Sequence, residues 1–108
     1  MLSERLNRSS AYVPSAHTPV TEPLAPVACF SIQAGADPSV MPRVLELFAK
    51  RGMIPQRWHS DLGGRRSDEL TIDLQVGGLD RAKAELIAHA IRQMVTVTSV
   101  LTSEKSYA

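Results

Sequence analysis

The sequence has 108 residues, which favours one domain near the lower end of what a single hydrophobic core can stabilise, so oligomerisation is expected. Hydrophobic residues make up 44% and aromatic residues 5%, a globular composition whose core must be mainly aliphatic. The 12 Lys and Arg residues nearly balance the 11 Asp and Glu residues. A net charge of +1 argues against nucleic acid or an anionic membrane as the partner.

Cysteine usage and hydropathy bear on the compartment. Cys29 is the only cysteine, which excludes an intramolecular disulfide and indicates a reducing compartment. Because Cys29 lies in an apolar run, we expect a small buried residue and not a nucleophile. No run reaches the about 18 apolar residues of a membrane span, and the first residues lack the apolar region of a secretory signal. The sequence therefore predicts a cytoplasmic protein with no membrane attachment.

The pattern divides the chain into three parts. Residues 1–26 combine Pro, Ser, Thr and Ala without a sustained period, which predicts a flexible tail in which a short helix over 2–7 would be marginal. Residues 27–102 hold the periodic segments and form the predicted domain. Residues 103–108 are expected to be a frayed C-terminal end.

The first half of the domain reads as a strand followed by a helix. Residues 27–34, VACFSIQA, alternate apolar and mixed positions and predict a strand. Either Ser39 is the N-cap of the next element, which puts Pro42 in the first helical turn where its missing N–H matters little, or the first turn is irregular. An apolar stripe with basic residues opposite predicts a helix that Gly52 ends.

The second half repeats this plan around a hairpin. It predicts a strand over 53–62, a hydrophilic loop over 63–68, a strand over 69–76, a helix over 81–93 capped by Asp80, and a strand over 95–102. The apolar stripe of the second helix is Ala84, Ile87, Ile91 and Met94, widened by Ala90. The order βαββαβ predicts an α+β, ferredoxin-like fold with two helices on one face of a four-stranded antiparallel sheet.

The residues that carry chemistry form no catalytic or metal-binding pattern. The three histidines have no ligand spacing and no second cysteine accompanies Cys29, so no metal and no cofactor is expected. No Ser lies in GxSxG and no glycine-rich loop matches a P-loop. Asp61, Asp68 and Glu69 flank the hairpin loop and form no convincing acid/base pair. We therefore predict no catalytic residue and a protein that is not an enzyme.

An RNA-binding interpretation is less favoured. Ferredoxin-like RNA-binding modules stack bases on exposed sheet aromatics, but Phe30 shares the phase of the buried residues and the third strand has no aromatic. The residues that such an interface would use are Arg57, Trp58, His59, Arg65 and Arg66. The simpler interpretation is that Trp58 packs against the sheet or an interface and that the two loop arginines keep the hairpin hydrated.

The stretch over 37–52, DPSVMPRVLELFAKRG, followed by a strand, a hairpin and DELTIDLQVGG, resembles an ACT domain. It is particularly similar to the small regulatory subunits of acetohydroxyacid (acetolactate) synthase of the isozyme II type. The resemblance covers roughly residues 28–101. Its most specific positions are Pro38, Arg43, Val44, Leu45, Leu47, Phe48, Arg51 and Gly52.

The resemblance implies a site for a small effector, often an amino acid, between paired subunits at the turn after the first strand. Helix-start amides and the positive end of the dipole can receive a carboxylate there. The implied ligand-binding residues are Ala36, Asp37, Pro38, Ser39, Val40, Met41 and Ile54. In valine-sensing relatives, the resemblance implies the pattern N-x-x-G at the turn and G-[YF]-N after the helix. This chain has Ala36 and Ser39 in place of the Asn and Gly of the first pattern, and Ile54 in place of the final Asn of the second. Asp37 would further repel a carboxylate, so weak or absent amino-acid binding is expected.

Three functional hypotheses follow. The leading one is a homodimeric, non-catalytic regulatory subunit that activates a separate thiamine-diphosphate-dependent catalytic subunit of acetohydroxyacid synthase in branched-chain amino-acid biosynthesis. The alternative is a stand-alone ACT sensor of an amino acid or another small ligand. A ferredoxin-like RNA-binding domain is the third.

Overall fold

The computed structural model of the protein describes residues 26–105. The predicted tail up to residue 25, with its marginal helix, and residues 106–108 lie outside the described part. The elements are β1 (Val27–Gly35), α1 (Val40–Ala49), β2 (Arg57–Gly63), β3 (Glu69–Gly77), α2 (Arg81–Arg92) and β4 (Val97–Lys105). Within this part, no helix has the length and apolar character needed to cross a bilayer.

The four strands form one sheet in the order β2-β3-β1-β4, and every neighbouring pair is antiparallel. β1 and β3 are therefore the central strands of the sheet, and each helix connects a central strand to an edge strand that is not its neighbour. The predicted ferredoxin-like βαββαβ fold is therefore confirmed.

The core lies between the sheet and the two helices. The predicted inward residues of β1 and β3 are buried, as are the main apolar positions of both helices, among them Phe48 and Ile87. The rings of Phe30 and Phe48 meet edge to face with centroids 5.4 Å apart. In α2, Ala88 is fully buried as well, and Ala90 is half-buried beside the predicted stripe.

Both ends of α1 follow from local chemistry. Ser39 is the N-cap residue, as predicted, and Pro42 is the third helical residue, where an unpaired backbone N–H would otherwise stand. The regular helix ends at Ala49, and Gly52 has φ 70°. The Met53 N–H donates to the Phe48 carbonyl at 2.9 Å and the Gly52 N–H to the Ala49 carbonyl at 2.9 Å. This is a Schellman ending, so Gly52 stops the helix as predicted, three residues beyond its last regular turn.

Two strand boundaries differ from the predictions. β2 begins at Arg57 and not at residue 53, because Pro55 has no N–H to donate to the neighbouring strand. Hydrogen bonding to β3 starts just before the strand, where the Gln56 N–H donates to the Gln75 carbonyl at 2.8 Å. β4 begins at Val97, because turn bonds continue past α2 and leave Val95 97% exposed. β4 runs on to Lys105, so residues 103–105 pair with β1 and are not a frayed end.

Candidate ligand cleft beside the first helix

The turn between β1 and α1 is tied to two distant segments. The Gly35 N–H donates to the Thr96 carbonyl at 2.9 Å, and the Ala36 N–H donates to the Asp68 carbonyl at 3.1 Å. The first bond holds the turn to the connection before β4, and the second holds it to the β2–β3 loop. The turn is therefore positioned by tertiary contacts and not only by its own sequence.

Asp37 closes this turn on itself. One of its carboxylate oxygens accepts hydrogen bonds from the Ser39 N–H and the Ser39 hydroxyl, each at 2.9 Å. These two bonds, aided by the positive charge of Arg43, lower the pKa of the Asp37 carboxyl. The Val40 N–H donates to the Asp37 carbonyl at 3.1 Å. The chain's own carboxylate and carbonyl thus occupy amides at the helix start that a ligand carboxylate would use.

A cleft of about 530 Å³ lies beside this turn. Its volume falls in the range of small-molecule sites. It is lined by Ala36, Asp37, Pro38, Met41, Ser60, Asp61, Leu62, Ser67 and Leu70. Buried Leu70 and half-buried Met41 give apolar surface, while the hydroxyls of Ser60 and Ser67 supply polar groups. Three segments build the cleft: the turn with the start of α1, the edge strand β2, and the β2–β3 loop.

The charge of the cleft is negative. Asp37 and Asp61 line it, and its lining residues include no Lys or Arg. The Asp61 side chain lies on the open-face side of β2, where its carboxylate oxygen is 2.9 Å from Nε2 of His59 and both side chains are about two-thirds exposed. A carboxylate ligand would therefore meet the like charge of Asp37 here, whereas a neutral or amine-bearing ligand would not.

The structure brings together only part of the residue set implied by the resemblance. Ala36, Asp37, Pro38 and Met41 line the cleft. Ser39 lies beside them and bonds Asp37. The last two lie elsewhere: Val40 is 1% exposed in the core, and Ile54 is 84% exposed outside the cleft lining.

Sequence reasoning did not identify the residues that β2, β3 and the hairpin loop contribute. These are Ser60, Asp61, Leu62, Ser67 and Leu70. The ferredoxin-like strand order carried a signal for them, because it places β2 beside β3 on the side where the hairpin loop approaches the β1–α1 turn.

The open face of the sheet carries a second concavity, of about 630 Å³. The strand register places on this face Cys29, Ser31 and Gln33 of β1, Arg57, His59 and Asp61 of β2, Thr71, Asp73 and Gln75 of β3, and Ser99, Leu101 and Ser103 of β4. This confirms the predicted polar face. Its lining has no exposed phenyl or indole ring, since Phe30 is 1% exposed, so it offers no platform for stacking bases. Cys29 is half-buried on this face and lies outside the core cluster, which corrects the expectation of a buried cysteine.

Neither Trp58 nor the acidic side chains of the described residues form a separate site. Trp58 packs against the core cluster, in agreement with its structural interpretation. Across residues 26–105, no three His, Cys, Asp or Glu side chains come together in a way that would hold a metal ion.

A family model described as an ACT-like domain matches residues 24–107. The chain therefore belongs to the ACT-like domain family, a class of regulatory, ligand-binding modules. A comparison with curated proteins finds no significant match.

Solved structures share the fold. The ACT domain of GTP pyrophosphokinase of Chlorobium tepidum has a TM-score of 0.60 and 12% identity, covering 71% of this chain and 96% of that chain. The C-terminal domain of the MgtC protein from Mycobacterium tuberculosis has a TM-score of 0.62 and 15% identity, covering 81% of this chain and 94% of that chain. At such identities the likeness concerns the fold alone.

Proposed function

We propose that this chain is a non-catalytic regulatory subunit that pairs with a second copy and acts by contact with a separate catalytic protein. The observation that carries the proposal is the closed turn, in which Asp37 occupies the Ser39 amide and hydroxyl. An ACT-like module whose helix start is already filled by its own carboxylate is poorly suited to an α-carboxylate effector. Regulation would then act through contact between this chain and the catalytic protein.

Pairing is supported at the free edge of β2. The apolar side chains of Leu62, on β2, and Ile54, in the segment leading into it, are 62% and 84% exposed. Two β2 edges joined antiparallel would make an eight-stranded sheet and remove an unprotected edge. Light scattering should give a dimer mass for the wild-type chain and a monomer mass for Leu62→Lys, whereas Leu86→Lys on α2 serves as the matched exposed control. A dimer that survives Leu62→Lys would contradict pairing at this edge.

The proposed catalytic partner is the thiamine-diphosphate-dependent subunit of acetohydroxyacid synthase. Its support is the resemblance over residues 37–52. The fold accounts for part of that motif, since Val44 and Phe48 are core residues and Gly52 ends α1, so these three positions carry little information about the partner. The exposed positions Arg43 and Arg51 carry more.

Reconstitution tests this partner. The tagged chain and the synthase catalytic subunit are mixed at micromolar concentrations, and both complex formation and synthase activity are followed as the ratio of the chains rises. We expect co-purification and an activity that increases to a plateau. Absence of a complex would overturn this choice of partner.

A ligand sensor is the second candidate, and the cleft of about 530 Å³ is the observation that favours it. Its candidate contacts are Ala36, Asp37, Pro38, Ser39 and Met41, whereas Val40 and Ile54 lie outside the cleft. Thermal-shift measurements against the twenty amino acids and their decarboxylated amines test it, because a ligand at a hundred times its Kd adds about 2.7 kcal/mol. A shift with a free amino acid would favour the sensor over the subunit that acts through contact.

A further inference from the structure

A shallow groove of about 250 Å³ runs between α1 and α2 on the side away from the sheet. It is lined by Arg43, Glu46, Leu47, Lys50, Ala90, Gln93 and Met94. Leu47 and Met94 are partly buried and pack against the core, so they form an apolar floor. Leu86 lies one turn before Ala90 on α2 and is 66% exposed, which continues the apolar strip beyond the lined groove.

The charges of the described chain are unevenly distributed between the two helices and the remaining segments. Segments 40–51 and 81–92 carry Arg43, Lys50, Arg51, Arg81, Lys83 and Arg92 against Glu46 and Glu85. The remaining described segments carry Arg57, Arg65, Arg66 and Lys105 against Asp37, Asp61, Asp68, Glu69, Asp73, Asp80 and Glu104. The helical layer is therefore basic although the whole chain is almost neutral.

The basic residues along α1 make no ion pair with a carboxylate in the described part of the chain. Arg43 lies near enough to the Asp37 carboxylate to help lower its pKa, but the two side chains form no salt bridge. Arg51, outside the groove lining, donates to the Leu47 carbonyl at 2.8 Å and forms no ion pair among residues 26–105. These charges are therefore available to an acidic partner.

We infer that this groove docks an acidic amphipathic helix of a partner protein. Leucines of the partner would cover Leu47, Met94 and Leu86, and its carboxylates would face Arg43 and Lys50. A helix fits because the strip is narrow, apolar at helical spacing, and bordered along one side by basic groups. The inference rests on the proposed regulatory role and names the surface through which that role is exerted.

A designed peptide tests the groove without knowledge of the natural partner. The probe is a capped, fluorescein-labelled helix of about 20 residues with leucines at i and i+4 spacing and Glu on its flanks; its matched control carries Lys in place of Glu. Fluorescence anisotropy should show saturable binding of the Glu probe, weakened by added salt, and no binding of the Lys probe.

Variants locate the binding. Arg43→Glu with Lys50→Glu should weaken the Glu probe by about a hundredfold, as expected when two attractive charge pairs become repulsive. Leu86→Ser should weaken it several-fold through lost apolar contact, and Glu46→Gln should tighten it. Arg65→Glu with Arg66→Glu, on the hairpin loop, is the control with the same charge change. Circular dichroism establishes that each variant is folded.

Several results would overturn the inference: no binding of the Glu probe, equal binding of both probes, or equal loss in the groove and hairpin variants. Self-association that disappears in Arg43→Glu with Lys50→Glu would assign the groove to a second copy instead, and preferential binding of duplex DNA would assign it to nucleic acid. The proposed function is distinguished by reconstitution. If the wild-type chain activates the synthase and the groove variant does so equally well, the docking surface is wrong and the regulatory role stands.

Discussion

An Asp carboxylate accepts a backbone N–H at the start of each helix, but the two carboxylates occupy different positions. At α2, Asp80 is the N-cap in an extended conformation, and its side chain accepts the Lys83 N–H at 2.8 Å. At α1, the N-cap Ser39 makes no side-chain cap bond within the helix, and its hydroxyl and amide bond Asp37 instead. The start of α2 is a regular cap, whereas the start of α1 is a closed turn beside a cleft.

The two carboxylates are therefore expected to have different roles, one in the stability of the fold and the other in ligand recognition. An N-cap such as Asp80 satisfies a helical amide and contributes to folding wherever the helix lies. Asp37 lies three residues before the first residue of α1 and also lines the cleft, so its carboxylate decides which ligands can approach. The predictions that follow change one helix start at a time, beginning with the largest expected effect.

The largest effect is expected at Leu79, which precedes the cap of α2 and is 1% exposed in the core. Leu79→Ala should lower the free energy of unfolding by about 2–5 kcal/mol, because it removes buried methyl groups and leaves a cavity. Leu86→Ala, on the same helix but 66% exposed, is the control and should change it by less than about 0.5 kcal/mol. Urea unfolding at one fixed protein concentration measures both, and equal losses would show that Leu79 does not anchor this helix start.

The Asp80 cap itself should matter less. Asp80→Ala should cost about 1 kcal/mol, since the Lys83 N–H loses its acceptor. Asp80→Asn retains an acceptor oxygen and should recover most of the loss. The same urea titration compares the two, and an alanine variant as stable as the asparagine variant would show that the hydrogen bond contributes nothing.

Opening the α1 turn should change binding more than stability. Asp37→Ala frees the Ser39 amide and removes a negative charge, so affinity for free amino acids should rise by about tenfold, the scale of one charge-assisted hydrogen bond. Asp61→Ala is the matched control, because it removes a nearby carboxylate without freeing a helix amide. Calorimetric titration with valine and glycine measures the change. Identical affinities in Asp37→Ala and Asp61→Ala would mean that charge alone, and not the occupied amide, excludes the carboxylate.

The smallest expected effect is a pH dependence. Because the Ser39 bonds lower the pKa of folded Asp37, its ionised form contributes stability that is fully present above the unfolded pKa, about 4, and is lost as pH falls through the lower folded pKa. Asp37→Asn should flatten this part of the acid unfolding curve. The pKa of Glu85, lowered by the Thr102 hydroxyl and by Arg92, contributes the same slope to both proteins. Parallel curves for wild type and Asp37→Asn would contradict the prediction.

Most of the fold was predictable because its signals are local. Alternation in β1 and β3 reflects one covered and one open sheet face, and both faces were assigned correctly. Ser39, Gly52 and Asp80 mark helix limits through their own backbone chemistry. Both ends of β4 were not predictable in this way, since pairing with β1 and the turn after α2 decide where that strand begins and ends.

Only the part of the cleft that comes from one short stretch of sequence was predictable. Ala36, Asp37, Pro38 and Met41 belong to one short stretch, so the resemblance located them together. Ser60, Asp61 and Ser67 reach the same cleft from β2 and its loop, and Val40 turns into the core, because strand order and helix rotation set those directions.

The sequence by itself thus determined the element types, the ferredoxin-like order and the acidic residue at the α1 start, all of which depend on near neighbours and periodicity. Only the tertiary structure decided that the turn before α1 is tied to Thr96 and Asp68 and that β2 completes the cleft. Those arrangements join distant segments through packing and hydrogen bonds, which periodicity does not encode.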